Sequence, residues 1–376
     1  MNTTNSATRS PGPQELLQSL LATELQIRDY SHREIVFSPP LITMDEVPII
    51  RRGTLNVIQG KQGSNKSRLA EHFASLLIAE AQPAMYSLGF TKIASETVTV
   101  AYIDTERSVK EEFPNAVRNI RRNAGFSNDP ENFRYTSLKT YSRSKRLGSL
   151  KTFIEDVRVK TNNPIFVIID VITDAIRDFN DPEESMELLD FLGNLCEQTD
   201  ATALQVIHEN PFGDKARGHV GTEAINKAAT VMQIGFEKAT DEHSSPYLTL
   251  KFKKQRHSEI SKQIALQFDK ETHTLKLANQ ASFEAAIREK DKKITAAEVA
   301  RSLADWNEKE IRQKEALTRV QEEFHCSYNT AKSRLKEIAD NGVEIVGENC
   351  EPCFLTIKAS SGTATVYVLQ NYKEAS

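Results

Sequence analysis

The 376 residues carry a formal charge of −4, with 27% charged and 39% hydrophobic side chains, an ordinary globular composition with room for two or three domains. That balance excludes a uniformly basic surface, so any contact with nucleic acid has to come from local patches. No apolar run reaches the length of a membrane span, the longest being Ile165–Ile169 with its extension through Val171 and Ile172, and no signal-peptide core opens the chain. Four scattered cysteines, Cys196, Cys326, Cys350 and Cys353, fit a reducing cytoplasm better than a disulfide scaffold.

Residues 1 to 13, rich in Asn, Thr, Ser and Pro, read as disordered. Gln14 to Tyr30 spaces Leu16, Leu17, Leu20, Leu21 and Leu25 as a helix does, which predicts a short helix that docks on its own chain or on a neighbour. Ser38-Pro39-Pro40 then breaks the chain, and the main domain is expected over residues 41–279. Within it the predicted strands are Leu55–Gln59, Val98–Asp104, Ile165–Asp170, Ala203–His208, Ala229–Phe236 and Leu248–Lys253, with a later pair near Ile264–Asp269 and Thr274–Ala278. Strands that are apolar throughout and separated by helices predict an α/β fold with a mostly parallel sheet covered on both faces. Ligands on such sheets sit beyond the carboxyl ends of the strands. Lys66, the Asp104-Thr105-Glu106 segment, Asp170 and His208 each fall just past such an end, so four separated segments are expected to meet at one edge.

The first of them, after Leu55–Gln59, runs Gly60-Lys61-Gln62-Gly63-Ser64-Asn65-Lys66-Ser67-Arg68 and opens an amphipathic helix. That is the layout of a phosphate-binding loop, in which backbone N–H groups face anionic oxygens, Lys66 reaches the terminal phosphates and Ser67 ligates magnesium. Asn65 stands where the pattern has its last glycine. Asparagine tolerates left-handed backbone angles, and Gly63 is expected to share the glycine's role. The plainer alternative is an ordinary strand-to-helix turn with a surface lysine.

Asp170 ends an apolar run, as a second magnesium-holding motif does. Glu106 is the expected base for the attacking water, with Asp104 the alternative. His208, in Gln205-Val-Ile-His208-Glu-Asn210, is placed to sense a γ-phosphate by hydrogen bonding. Asp214 to Glu223 reads as a glycine-punctuated basic loop without a hydrophobic face, whose Lys215, Arg217 and His219 suit a phosphate backbone. Lys254 and Arg256, two apart on an extended segment, are expected to point the same way, toward a neighbour's nucleotide.

Residues 280–294 are charged and alanine-rich, as a linker helix would be, and a second module is expected over 295–376. Thr295-x-x-Glu298 is a capping box, Arg312–Phe324 a second helix, His325-Cys326-Ser327 a turn, Tyr328–Asp340 a third helix and Asn341-Gly342 its stop. Short strands follow around Ile345–Val346, Phe354–Ile357 and Val366–Val368, so the leading reading is a winged helix-turn-helix. Lys332 and Lys336 share one face of the third helix, with Arg334 and Asn329 nearby, and are expected to meet duplex DNA. Cys350-Glu-Pro-Cys353 is a lone CxxC with only His325 and Cys326 near it, and reads as a hairpin turn rather than a zinc site.

Taken in order, Gly60–Ser67, Glu106, Asp170, His208, Arg217–Thr222 and Lys254-x-Arg256 resemble the RecA-like hexameric ATPases over residues 41–279. The likeness is to their replicative-helicase branch, with plasmid RepA-type and DnaB-type proteins, as carried by bacterial mobile elements. It implies ATP and Mg²⁺ as ligands of a RecA-like P-loop NTPase core, and a homo-oligomeric ring, expected to be a hexamer. In that ring Lys66 and Ser67 hold nucleotide and metal, Glu106 is the base and Asp170 the metal partner. Lys254 and Arg256 act in trans on the neighbour's γ-phosphate, and Lys215–Thr222 contacts single-stranded DNA. The expected function is a DNA-dependent ATPase, a helicase or helicase-like replication protein of a mobile genetic element. The alternative is a regulatory DNA-binding protein whose ATPase domain only switches its assembly.

Overall fold

The computed structural model describes residues 12–80, 87–92, 96–211, 213–237, 247–279, 281–283, 294–306, 310–324, 326–346, 352–359 and 365–371. The chain forms two compact units, residues 1–283 and 284–376. Residues 1–11, expected to be disordered, and most of the expected linker lie outside the described residues.

The first unit opens with α1 (Pro13–Ser31), which buries none of its residues and leaves its leucine face exposed. The chain then makes β1 (Ile42–Met44), β2 (Val47–Ile50), β3 (Leu55–Gly60), α2 (Lys66–Ile78), β4 (Phe90–Lys92), β5 (Thr99–Asp104), α3 (Glu112–Asn123), β6 (Phe133–Ser137), α4 (Arg143–Lys160), β7 (Ile165–Asp170), α5 (Pro182–Thr199), β8 (Ala201–His208), α6 (Gly218–Lys227) and β9 (Thr230–Glu237). Three further strands close the unit: β10 (Tyr247–Gln255), β11 (Ile264–Asp269) and β12 (Thr274–Leu277). Among the described residues these build a nine-stranded sheet in the order β12-β11-β10-β9-β3-β8-β7-β5-β6, and a three-stranded one, β2-β1-β4.

From β9 to β6 every pairing is parallel. Alternate residues of each strand then enter opposite cores. Phe166 and Ile168, with Tyr102 and Val206, meet α2 and α3, whereas Val167 and Ile169, with Ala101 and Ile207, meet α4, α5 and α6. Five buried apolar side chains in β7 contribute on the order of 10 kcal/mol. That is enough to hold the strand's last residue, Asp170, almost fully buried, although removing a carboxylate from water costs several kcal/mol.

The sheet is mostly parallel, as expected, and β10, β11 and β12 add an antiparallel edge beyond β9. Short connections join these three, and a strand that reverses directly onto its predecessor needs no crossover helix. β6 and the three short strands β1, β2 and β4 were not expected, since Phe133-Arg-Tyr-Thr-Ser137 at the sheet edge and the three- and four-residue segments lack a continuous apolar run.

The second unit contains α7 (Ala296–Leu303), β13 (Glu310–Arg312), α8 (Gln313–Phe324), α9 (Tyr328–Asn341), β14 (Glu344–Ile345), β15 (Cys353–Ala359) and β16 (Thr365–Asn371). The Thr295 hydroxyl accepts from the Glu298 N–H while the Glu298 carboxylate accepts from the Thr295 N–H, closing the capping box of α7. Arg312 belongs to β13 rather than to the following helix. The sheet runs β13-β16-β15-β14, all antiparallel, over a core that includes Val299, Leu317, Leu335 and Tyr367.

Candidate nucleotide site

Strand register decides what meets at the carboxyl edge of the parallel strands: Gly60 lies beside His208, and Asp104 beside Asp170. Between β3 and α2 the chain turns through five residues. A Cβ on Gly60 would collide with the Ile234 carbonyl and Ser64 Oγ, so only glycine fits there. Asn65 takes φ 64° and ψ 27°, the left-handed region, and so supplies the backbone angles that the pattern assigns to glycine. Lys66 is buried, and its Nζ donates to the Lys61 carbonyl at 2.7 Å, closing the turn on itself. Burial lowers the Lys66 pKa, against the opposing pull of Asp170, Glu106 and Glu209.

Ser67 Oγ donates to Asp170 Oδ1 at 3.1 Å, so a hydroxyl and a carboxylate stand together at the start of α2. The other Asp170 oxygen accepts from Tyr102 Oη at 2.8 Å and from Arg107 Nη2 at 3.2 Å. Asp104 is no free base. Its Oδ1 accepts the N–H groups of Glu106 at 3.1 Å and Arg107 at 2.7 Å, and its Oδ2 accepts Arg107 Nε at 2.5 Å. Burial raises the Asp104 pKa and Arg107 opposes it. Glu106, by contrast, is half exposed and has its Oε1 3.6 Å from His208 Nε2. The neighbouring imidazole holds the Glu106 carboxyl below the usual carboxylate range, opposed by burial and helped by Lys66 and Arg107.

Two participants were not legible in the sequence. Arg107 follows Glu106 in an acidic segment and gave no signal of its own. Glu209 is buried, with Oε1 accepting from Gln59 Nε2 at 2.8 Å and Gln233 Nε2 at 2.6 Å, so it ties together the ends of β3, β8 and β9. Polar Gln59 and Gln233, each flanked by apolar residues inside β3 and β9, were the available hint. Gln205 lies three residues inside the edge, fully buried beside Val57 and Ile169, and does not join the edge with His208.

The expected basic loop after β8 is half helix, because α6 begins at Gly218 and buries Val220, Gly221 and Ala224. It therefore has the hydrophobic face that the sequence reading denied it. Gly218 has φ 73° and a Cβ there would meet the Phe179 carbonyl, which fixes glycine as the first helical residue. Lys215, Arg217 and His219 remain exposed, and the Arg217 guanidinium lies 4.7 Å from the Phe179 ring centroid. The Arg217 N–H donates to the His208 carbonyl at 2.8 Å, so this segment is anchored on the histidine.

Lys254 and Arg256 do point the same way, but away from this site. Gln255 pairs with Thr230, which pairs with Asn56, four residues before Gly60 and so roughly 13 Å down the strand. There Lys254 Nζ donates to the Ile225 and Asn226 carbonyls, both at 2.8 Å, and Arg256 Nη2 lies 3.3–3.4 Å from those of Asn226, Lys227 and Ala228. Two cations thus cap the carboxyl end of α6.

In the second unit Lys332 and Lys336 share an exposed face of α9 with Tyr328 and Asn329. Arg334 does not belong with them. Its Nε donates to the Ile294 carbonyl at 2.6 Å and its Nη1 pairs with Glu337, on the other side of the helix. Cys350 and His325 lie outside the described residues, the Cys326 and Cys353 thiols donate to the Val320 and Ile345 carbonyls, and no cluster of metal-ligating side chains occurs among the described residues. Nor, among these residues, is any helix long and apolar enough to cross a membrane.

A nucleotide with its magnesium ion fits the edge as built. The turn approaches too closely at Gly60 for any side chain, Lys66 is the cation at its centre, and the Ser67 and Asp170 oxygens form the hard donor pair that Mg²⁺ prefers. An α/β fold with a large, mostly parallel sheet and this loop at its edge defines a P-loop NTPase. Comparison with known families agrees: residues 23–211, half of the chain, match the AAA domain. The chain belongs to that family, and is an ATP-hydrolysing P-loop NTPase. No curated protein matches it. The matched span contains Lys66, Glu106, Asp170 and His208, and ends before Lys215, Arg217, His219, Lys254, Arg256 and the second unit.

Proposed function

We propose that this ATPase is DNA-dependent, a helicase or helicase-like replication protein of the RepA/DnaB kind carried by mobile genetic elements, hydrolysing ATP at the subunit interfaces of a ring. The placement of Lys254 and Arg256 carries the proposal. They are out of reach of the loop in their own chain, so a role for the pair at a γ-phosphate requires the loop of another subunit, which a head-to-tail ring supplies. Within each site Lys66 grips the β- and γ-phosphates, and Ser67 and Asp170 hold the metal, which supplies charge neutralisation when bound. Glu106 accepts the proton of the attacking water. His208 hydrogen-bonds the γ-phosphate and hands its position through its carbonyl to the Lys215–His219 segment, whose exposed cations face single-stranded DNA.

The second unit supports recruitment to duplex DNA. Its order of helix, strand, two helices, short strand and hairpin, with the first strand β13 pairing the last, supports the winged-helix reading, and α9 presents Lys332 and Lys336. The deciding experiment is unwinding of a forked duplex with ATP and Mg²⁺, run beside ATP hydrolysis with and without single-stranded DNA. Unwinding with DNA-stimulated turnover is expected. Duplex binding without unwinding would instead favour an ATP-switched regulatory protein, and no DNA affinity at low salt would sink both readings.

A further inference from the structure

Arg107 is one cation shared by three carboxylates from three elements, of which Glu71 also pairs with Arg68 at 2.7 Å. Its Nη1 donates to Glu71 Oε1 of α2 at 2.6 Å, its Nε to Asp104 of β5 at 2.5 Å, and its Nη2 to Asp170 of β7 at 3.2 Å. The side chains of these acids are 7%, 1% and 3% exposed. Buried carboxylates in such proximity require a counter-ion, and the rigid guanidinium fork, unlike an ammonium, can bind all three at fixed angles. The Tyr102 and Phe113 rings, with centroids 5.5 and 5.3 Å from the guanidinium carbon, hold that fork in place.

The hub touches both halves of the chemistry. Arg107 and Tyr102 grip Asp170 Oδ2, which leaves Oδ1 turned to Ser67. Asp104, gripped on Oδ2, uses Oδ1 to receive the Glu106 and Arg107 N–H groups and so sets the turn that aims Glu106. Resting on the nucleotide reading above, we propose that Arg107 is a positioning residue for the magnesium side of the site: one guanidinium orients the Asp170 carboxylate and the turn that carries Glu106. A merely structural ion-pair hub would change stability and leave the relation between metal and nucleotide untouched.

The test is titration of the full chain with a fluorescent ATP analogue, in Mg²⁺ and in EDTA. Arg107→Gln should bind the metal-free analogue as the wild type does, because the loop and Lys66 are intact. The affinity gained from Mg²⁺ should fall by about 10- to 100-fold, the usual effect of removing a partner behind a metal ligand. Arg107→Lys, which keeps the charge without the fork, should not restore it. Should Arg107→Gln fail to fold, Arg107→Gln combined with Glu71→Gln removes one charge of each sign and gives the same readout. A wild-type magnesium gain in either variant would overturn the inference alone, whereas a wild type that binds no nucleotide would overturn the nucleotide reading and this inference with it.

Discussion

Mixing Lys66→Ala chains with Arg256→Ala chains should restore ATP hydrolysis that neither variant shows by itself. The first variant lacks the loop cation and keeps an intact Lys254/Arg256 pair; the second has the reverse. If the pair serves the next subunit, each interface draws its loop from one chain and its finger from the other. At equal mixing one interface in about four then joins an intact loop to an intact finger, so roughly a quarter of wild-type turnover should return from a background lowered about 10³-fold or more by loss of an arginine finger. Recovery should follow the product of the two mole fractions and peak at equal mixing. The structural cost of the arginine is small. Its contacts to the α6 carbonyls are long, at 3.3–3.4 Å, and Lys254 stays on the same terminus. Loss of one such charge costs about 0.3–1 kcal/mol, or at most a few degrees of melting temperature. Coupled-enzyme turnover over a series of mixing ratios, with co-assembly verified by size, is the assay. Co-assembled chains that stay inactive at every ratio would refute the trans placement.

Asn65→Ala should lower the melting temperature, because alanine in the left-handed region costs about 1–2 kcal/mol, whereas Asn65→Gly should not; equal melting of the alanine variant and the wild type would show that the turn does not use this conformation. His208 lowers the Glu106 pKa, so His208→Ala should raise it, and since the base acts deprotonated, the acid limb of the pH–rate profile should move to higher pH. A limb that stays in place means that another group titrates there. Replacing Lys332 and Lys336 by alanine should flatten the log–log salt dependence of duplex binding by about 0.9 for each phosphate that is no longer neutralised. A salt series with unchanged slope would make these lysines a solvated face and the second unit a protein-interaction module.

Local sequence determined the pieces whose physics is local. The unbroken apolar run from Ile165 to Ile169 reads locally as a buried strand, Gly60 to Ser67 as a tight turn before a helix, and Thr295-x-x-Glu298 as a helix start, and each forms as read. The position of Asn65 in the loop was legible for the same reason, since its left-handed preference is its own. Tertiary structure decided whatever depends on partners far along the chain. Register alone sets Asp104 beside Asp170, and three carboxylates from α2, β5 and β7 make a hub of Arg107, a residue type more often found in solvent. Glu209 gains its role from glutamines 150 residues before it and 24 after it. The reversal of β10 against β9 sends Lys254 and Arg256 to the far edge of the sheet. A pattern of charges two apart cannot carry that information, because strand direction is fixed by which edge of the sheet is open when the strand arrives, not by the residues within it.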